Sequence, residues 1–466
     1  MSYPPRSSVA LLALALSACG DSGSGSASDS ASTDAGPTSA SITASASITA
    51  SATASATDTP PTSSDSGSDS ASQTGTSAPT SEVSASSGDG PKFDLGVTPD
   101  AGMGGCGDGD GKPKFSNIWI SNSPEGTVSK VNTFTGVEEG RYRAGPGTPD
   151  PSRTSVNLLG DAAVVDRNGG IMKVAAQQKD CVDLNANGMI ETSNGPGNVL
   201  PWGSDECVLW HHPLPSNGVR GPRPVAWEGF YDEKTCTGSS DRVWVGHYDQ
   251  VANTGHFFRL DGKTGATLDM VDVSPWSGQT YGPYGGAVNK EGDFWVLGWN
   301  SGPLIRIHHD TLQVDQWPTP PGAFVYGFAV DKNGDPWAAG SSQYHHFSVQ
   351  TQSWQSFNVG SSMRGLQVDK AGHVWIAEDG PCGVHKVDAV SGNVLTSFAI
   401  PGCAQPVGVS IDVEGFVWVV DQSANAAFKI QPDGPTLALT VNGLVGPYTY
   451  SDMTGAGLDL VVNPPG

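Results

Sequence analysis

One short pattern recurs along most of the chain and limits its fold more than any other feature: a Gly-containing turn followed by a hydrophobic–Trp–hydrophobic line. Clear copies are Glu291-Gly292-Asp293-Phe294-Trp295-Val296, Asn333-Gly334-Asp335-Pro336-Trp337-Ala338, Ala371-Gly372-His373-Val374-Trp375-Ile376 and Glu414-Gly415-Phe416-Val417-Trp418-Val419. Two more, around Trp119 and Trp244, have a weaker turn, and a seventh places Ala163 in the Trp slot. The slots 119, 163, 244, 295, 337, 375 and 418 are spaced 44, 81, 51, 42, 38 and 43 residues apart. Five of these spacings match one propeller blade of about 40–50 residues, and the sixth holds one blade plus an insertion.

Each copy reads as four short strands, A to D. Tyr326-Gly327-Phe328-Ala329-Val330 is a strand A, the Trp line is strand B, and Leu304-Ile305-Arg306-Ile307 alternates as a half-buried strand C should. One such sheet cannot bury both faces alone, so the copies must pack into a ring. The expected fold is all-β: a single seven-bladed propeller over 112–458, with a tail at 459–466. The segment Gly446-Pro447-Tyr448-Thr449-Tyr450-Ser451 resembles a strand A with no Trp line after it, and the Trp119 copy lacks a strand A before it. The C-terminal strand is therefore expected to complete the first blade and leave no open sheet edge.

Composition agrees. Gly (61) and Pro (34) suit turns and disfavour long helices. Net charge is −23, which argues against a nucleic-acid partner. The stretch 20–90 contains no Lys, Arg, His or aromatic residue, and Ser39–Ala56 is only Ser, Thr, Ile and Ala. With so little apolar surface to bury it reads as a flexible tether open to O-glycosylation. A Gly-rich lead-in follows at 91–111.

Residues 1–18 read as a signal peptide: Arg6, then the apolar run Val9–Leu16, too short to span a bilayer. Leu16-Ser17-Ala18-Cys19-Gly20 resembles the lipobox of bacterial lipoproteins. That resemblance implies cleavage before Cys19, a lipidated thiol, and a domain displayed on a 19–90 tether at the cell envelope, on the outer membrane or the cell surface. Six cysteines remain, Cys106, Cys181, Cys207, Cys236, Cys382 and Cys403, which outside the cytoplasm suggests up to three disulfides. The B–C and D–A connections of a blade share one face, so Cys382, after strand B, and Cys403, on the next D–A connection, are expected to pair. The other pairings stay open.

The insertion, about 175–206, carries Asp183-Leu184-Asn185-Ala186-Asn187-Gly188-Met189-Ile190-Glu191. Alternate side-chain oxygens, a bending Gly and a backbone carbonyl at Met189 are the opening of a calcium loop. It resembles EF-hand-like and dockerin-like loops but has Asn194 where a bidentate Glu is usual, leaving Glu191, Asp205 or Glu206 to close the shell. Asp183, Asn185, Asn187, Met189 and Glu191 are the expected ligands of a structural Ca2+.

At the channel mouth, strand B ends deliver Asn122, Asp166, His247, Gly298, Gly340, Glu378 and Asp421, and strand A starts deliver Arg153, Tyr284, Tyr326, Arg364 and Tyr448. Such convergence suits a polar ligand or a divalent cation. His345, His346 and His385 align with strand C and are expected at the surface. The pattern Pro-x-Gly-x-x-hydrophobic-Asp-x-x-Gly-x-hydrophobic-Trp, in 321–337 and 406–418 with local departures, resembles seven-bladed propellers of the NHL and virginiamycin B (streptogramin) lyase type. That resemblance implies a metal-dependent lyase with Mg2+, with Glu378 in a Trp-x-x-Glu line and His247 as acid–base residues; the family's Glu-x-His pair is missing. Because the fold alone does not confer activity, the primary expectation is a non-catalytic, monomeric propeller, membrane-anchored through its lipid, that binds a protein, peptide or glycan at the mouth. The lyase, or a hydrolase, is the alternative.

Overall fold

The computed structural model describes residues 116–216, 221–232, 237–276, 281–320 and 322–463. The chain divides into two units, Met1–Gly90 and Pro91–Gly466, and every described residue belongs to the second. The signal peptide, Cys19, the tether, Cys106 and Cys236 lie outside the described residues.

The described residues form an all-β propeller. Its first sheet has three antiparallel strands, Asn117–Asn122, Thr127–Asn132 and Glu138–Arg143. Four-stranded sheets begin with Pro151–Val156, Val225–Trp227, Pro283–Val288 and Pro406–Ile411, and each of the four follows the strand order A-B-C-D. A two-stranded hairpin, Phe230–Asp232 with Thr237–Ser239, stands beside the third sheet.

The blade count departs from expectation, with six sheets besides that hairpin instead of seven. The Trp337 and Trp375 copies share one six-stranded sheet. Strand Pro336–Ser348 runs through B and C without a break, and Ser353–Val368 runs through D and the next A. The chain bends at Ser342 (φ +66°) and Gly360 (φ +80°), yet Ser341 still pairs with Ser362. A bend made within a ladder leaves the two sheets continuous.

The closing segment differs too. It runs beside the first strand as one isolated bridge, Asn122 to Pro447, with Tyr448 N–H donating to Ser121 and Trp119 N–H to Met453. Among the described residues no fourth strand joins that sheet. Of the expected tail, residues 459–462 belong to a helix, Ala456–Val462, whose Leu458, Leu460 and Val461 are buried against the inner strands.

The repeat has a physical reason. All six Trp slots and Ala163 are fully buried. Opposite each, on strand C, stands a cation: Trp119–Lys130, Ala163–Lys173, Trp244–Arg259, Trp295–Arg306, Trp375–Lys386 and Trp418–Lys429 are register partners. In the remaining copy His346 stacks on Trp337 with centroids 4.4 Å apart. The Trp indole donates to the carboxylate that opens the turn, Trp375 to Asp369 at 2.8 Å and Trp418 to Asp412 at 2.9 Å. Trp244 and Trp337 likewise donate to Glu228 and Asp331, so four of the six indoles end on a carboxylate, while Trp119 donates to the Gly160 carbonyl and the Trp295 indole N–H is buried without a partner. The strand C cations beside the Trp slots are in turn paired, as burial demands. The inner strands meet too closely for side chains: a Cβ on Gly365 would lie 2.6 Å from the Val407 carbonyl, and one on Gly408 would strike the Thr449 carbonyl.

Two disulfides are present among the described residues. Cys382–Cys403 is the expected pair, and Cys181–Cys207 closes the insertion, which leaves the sheet after Val174 and rejoins it at Val208.

Candidate functional site

The strand A starts do converge. The residue ahead of the close-packed inner position is Arg223, Tyr284, Tyr326, Arg364, Val407 and Tyr448 in six of the copies, with a register shift at that point in four sheets. In the Ala163 copy the shift falls at Ser152, and Arg153 takes the inner position itself, paired with Val165. The shift turns these side chains inward to the channel. Arg153 is 1% exposed and Arg223 2%. Arg153 Cζ lies 3.4 Å from the Tyr450 ring centroid and 4.7 Å from that of Tyr284, and its Nη2 donates to the Tyr450 hydroxyl. Arg223 sits 4.6 Å over Tyr281 and Arg364 5.7 Å over Tyr326. The Tyr326 hydroxyl donates to that of Tyr448 at 2.5 Å. Trp299 packs edge-on to Tyr281 and Tyr326.

Charge here is unbalanced. Arg364 pairs with Asp379 at 3.2 Å and Arg167 with Asp150 at 2.5 Å, both near solvent. Arg153 and Arg223 have no carboxylate partner among the described residues, and Arg153 Nε is buried without any hydrogen-bond acceptor. Burial pulls the Arg223 guanidinium below its usual range; Tyr284 opposes this, and Arg167 and Arg153 add to it. Burial also pushes the Tyr450 phenol well above its usual range, against the pull of Arg153.

The strand B ends do not share this centre. Asp166 accepts from the Asp150 and Asn168 amides, and Asp421 from those of Ala404, Gln405 and Ala424, so both hold their own loops. Asn122 bonds Thr127 and Ser129. His247 stacks on His256 and Phe258, and burial, with His256 adding to it, brings its pKa down to about 4. Glu378 is fully buried, 2.5 Å from His385 Nε2 and 2.9 Å from Ser361 Oγ. His385 and His345, expected at the surface, are buried, because strand C is covered by its neighbours; each bonds a strand D serine through Nδ1, Ser397 at 2.7 Å and Ser356 at 2.8 Å. Glu378, His247, Asp166 and Asp421 have no ligand point in common: Asp421's neighbours in reach of a shared ion are the Cys382 and Cys403 sulfurs, already bonded to each other.

Arg223, Arg167, Tyr281, Trp299 and Tyr450 were not anticipated. Arg223 was legible, since Pro224 stands where other copies have Gly and the slot before it is the mouth slot. Tyr450 sits two residues beyond its slot in a segment that forms no regular strand, and sequence spacing gives no signal for it.

In the insertion, Asp183, Asn185, Asn187 and Glu191 face one another. Both Glu191 oxygens meet the Asn185 and Asn187 amides, at 3.0 and 2.7 Å, and Gly188 (φ +81°) turns its N–H onto Asp183. Asp205 and Glu206 are engaged elsewhere: Asp205 by Thr192 and Ser193, Glu206 by the Leu184 and Glu191 amides. Glu191 is therefore the carboxylate placed to close a calcium shell, and this oxygen-rich donor set fits a hard cation.

No protein-family model and no curated protein matches the chain. Among solved structures it is similar to a functionally unknown protein from Desulfotomaculum acetoxidans, at 10% identity and a TM-score of 0.51, covering 72% of this chain and 98% of that one. A protein from Lactobacillus plantarum gives 14% identity and a TM-score of 0.49 over 72% and 98%. Virginiamycin B lyase from Staphylococcus aureus gives 13% and 0.47 over 74% and 97%. At 10% identity the likeness to the Desulfotomaculum acetoxidans protein is one of fold alone.

Proposed function

We propose that the protein is a lipid-anchored propeller of the bacterial cell envelope that binds, without catalysis, a carboxylate-bearing ligand at its channel mouth. The observation that carries this reading is the Arg153 guanidinium, buried among tyrosines with Nε unpaired and no carboxylate beside it. A buried cation without a counterion is costly, and an incoming carboxylate supplies both the charge and the missing acceptor. The guanidinium fork suits a planar carboxylate, and the tyrosine rings suit the apolar or sugar body behind it. Arg167 and Arg364, at the solvent edge, would meet the anion first by exchanging Asp150 and Asp379. The lyase reading lacks support from geometry, since Glu378 and His247 are held by separate partners. Anchoring follows from Cys19, the tether serving as spacer, and calcium from the Asp183–Glu191 loop.

Calorimetry on the full-length chain tests the binding, with oligogalacturonate, a peptide with a free C-terminus and a neutral dextran oligomer as probes. The acidic probes should bind, more weakly at high salt, and the dextran should not. Whichever acidic probe binds names the source of the carboxylate. Arg364→Gln, at the rim, should cost about tenfold in affinity, the worth of one charge-assisted bond. Silence from both acidic probes, or parent-like affinity in Arg364→Gln, refutes the reading. Loss of fatty-acid labelling in Cys19→Ser tests the anchor.

A further inference from the structure

At the other end of the strands from the arginine–tyrosine mouth, the A–B turns of the Trp375 and Trp418 copies and the first turn of the C-terminal helix enclose a cavity of about 340 Å³. That is room for roughly ten water-sized groups, within the size range of small-ligand sites. Ile411, Val413 and Pro432 give it an apolar wall. Its charge is lopsided: five carboxylates line it against two ammoniums, Lys370 and Lys386.

Most of these carboxylates are accounted for. Asp412 and Glu414 are paired with Lys429 at 3.0 and 2.9 Å, and Asp369 with His373 at 3.0 Å. Asp433 is exposed beside Lys386. Asp459 differs. Its side chain is 4% exposed; Oδ2 meets the Lys370 ammonium at 2.5 Å, while Oδ1 is buried with no hydrogen-bond partner. An ionised carboxylate has about four acceptor sites, and leaving one oxygen dry and unbonded in a protein interior is costly. Burial pushes this carboxyl up to about 6, against the Lys370 charge and hydrogen bonds from Lys370 and Asn463.

We propose that this cavity is a second ligand site, which takes a small organic cation: a primary ammonium or guanidinium on Asp459 Oδ1, with its aliphatic body along Ile411, Val413 and Pro432. The net negative lining draws the cation in and the apolar wall selects an organic amine over a bare metal ion, which would need more oxygens than Asp459 can bring. The site is independent of the channel mouth, which it neither touches nor resembles in charge.

Calorimetry on the full-length chain with agmatine and cadaverine, against hexanoate and 1-hexanol as anionic and neutral counterparts, tests the site. Saturable binding of at least one amine is expected, with neither counterpart binding. Asp459→Asn should weaken the amine at least tenfold, and Asp433→Asn, on the exposed rim, less than twofold. Ala456→Leu fills the cavity without changing its charge and should also abolish binding, which covers the case that Asp459→Asn does not fold. Arg364→Gln should bind the amine as the parent does, so failure at the mouth and failure here are separable. Absence of amine binding at millimolar concentration, equal binding of hexanoate, or parent-like affinity in both Asp459→Asn and Ala456→Leu overturns the proposal.

Discussion

Lys429→Met tests the idea that Trp418 is clamped between a cation and a carboxylate. Lys429 is 4% exposed; its ammonium meets Asp412 at 3.0 Å, Glu414 at 2.9 Å and the Thr133 carbonyl at 2.8 Å, and it lies 4.1 Å from the Phe416 ring centroid. Methionine keeps the stem volume and removes the charge. What is left is Asp412, whose side chain has no exposure. Breaking a buried pair from one side costs about 3–5 kcal/mol. Asp412 keeps the Trp418 indole and the Glu414 and Phe416 amides as donors, so the lower end, about 3 kcal/mol, is expected. At ~2.1 cal/mol/K per residue the unit Pro91–Gly466 has an unfolding entropy of roughly 0.8 kcal/mol/K, so its Tm should fall by about 4 °C. Burial already raises the Asp412 carboxyl, with the Trp418 bond and Lys429 opposing. Without Lys429 it rises further, so protonation relieves the variant and its deficit should shrink as the melting buffer is taken from pH 7.5 to pH 5. Asp412→Asn on top of Lys429→Met should recover most of the loss, because no orphaned charge remains. Scanning calorimetry of the four proteins measures the cycle. Additive losses in the double variant, or an unchanged Tm in Lys429→Met, would refute the clamp.

Calcium should raise the Tm of the parent and chelator lower it, while Asp183→Ala should respond to neither; a parent Tm indifferent to calcium removes the metal from the insertion. Cys403→Ser opens a disulfide spanning 21 residues and should cost about 3 kcal/mol by loop entropy, seen as a lower urea midpoint; an unchanged midpoint would show that the two connections are held by other contacts. Burial brings His345 down to about 4 from the ordinary value near 6.5, so the fold holds it neutral. Its contribution is present above about pH 6.5 and is lost as the pH falls through 4. His345→Gln should flatten the decline in Tm over that window, and an identical profile in variant and parent would show that the imidazole does not titrate as burial requires.

The propeller was legible because its decisive signal is local and repeated: a Trp line needs its turn a few residues before it, and each copy announces itself without long-range information. The basic residue beside each slot was equally available, Lys or Arg at 130, 173, 259, 306, 386 and 429 and His at 346, but it shows only once strand B is laid against strand C, since the hairpin loops differ in length. The fusion of two copies into one sheet was not legible, because Ser341-Ser342 and Gly360-Ser361 read as loop residues and only pairing across the bend keeps the ladder continuous. The mouth divides on the same line. Tyr284, Tyr326, Arg364 and Tyr448 were found because each sits next to an inner-strand position whose backbone contact fixes it, and Arg153 occupies that inner position itself. Glu378 and His247 were placed in the ring by strand period alone. Period gives the face a side chain points to, not the partner that claims it there, and His385 claimed Glu378. The buried charges of this protein therefore sort by what they lack. Arg153 has no carboxylate among the described residues and no acceptor at Nε, and Asp459, paired with Lys370 through Oδ2, leaves Oδ1 without a partner; the two sit at opposite ends of the strands, where a ligand could complete them.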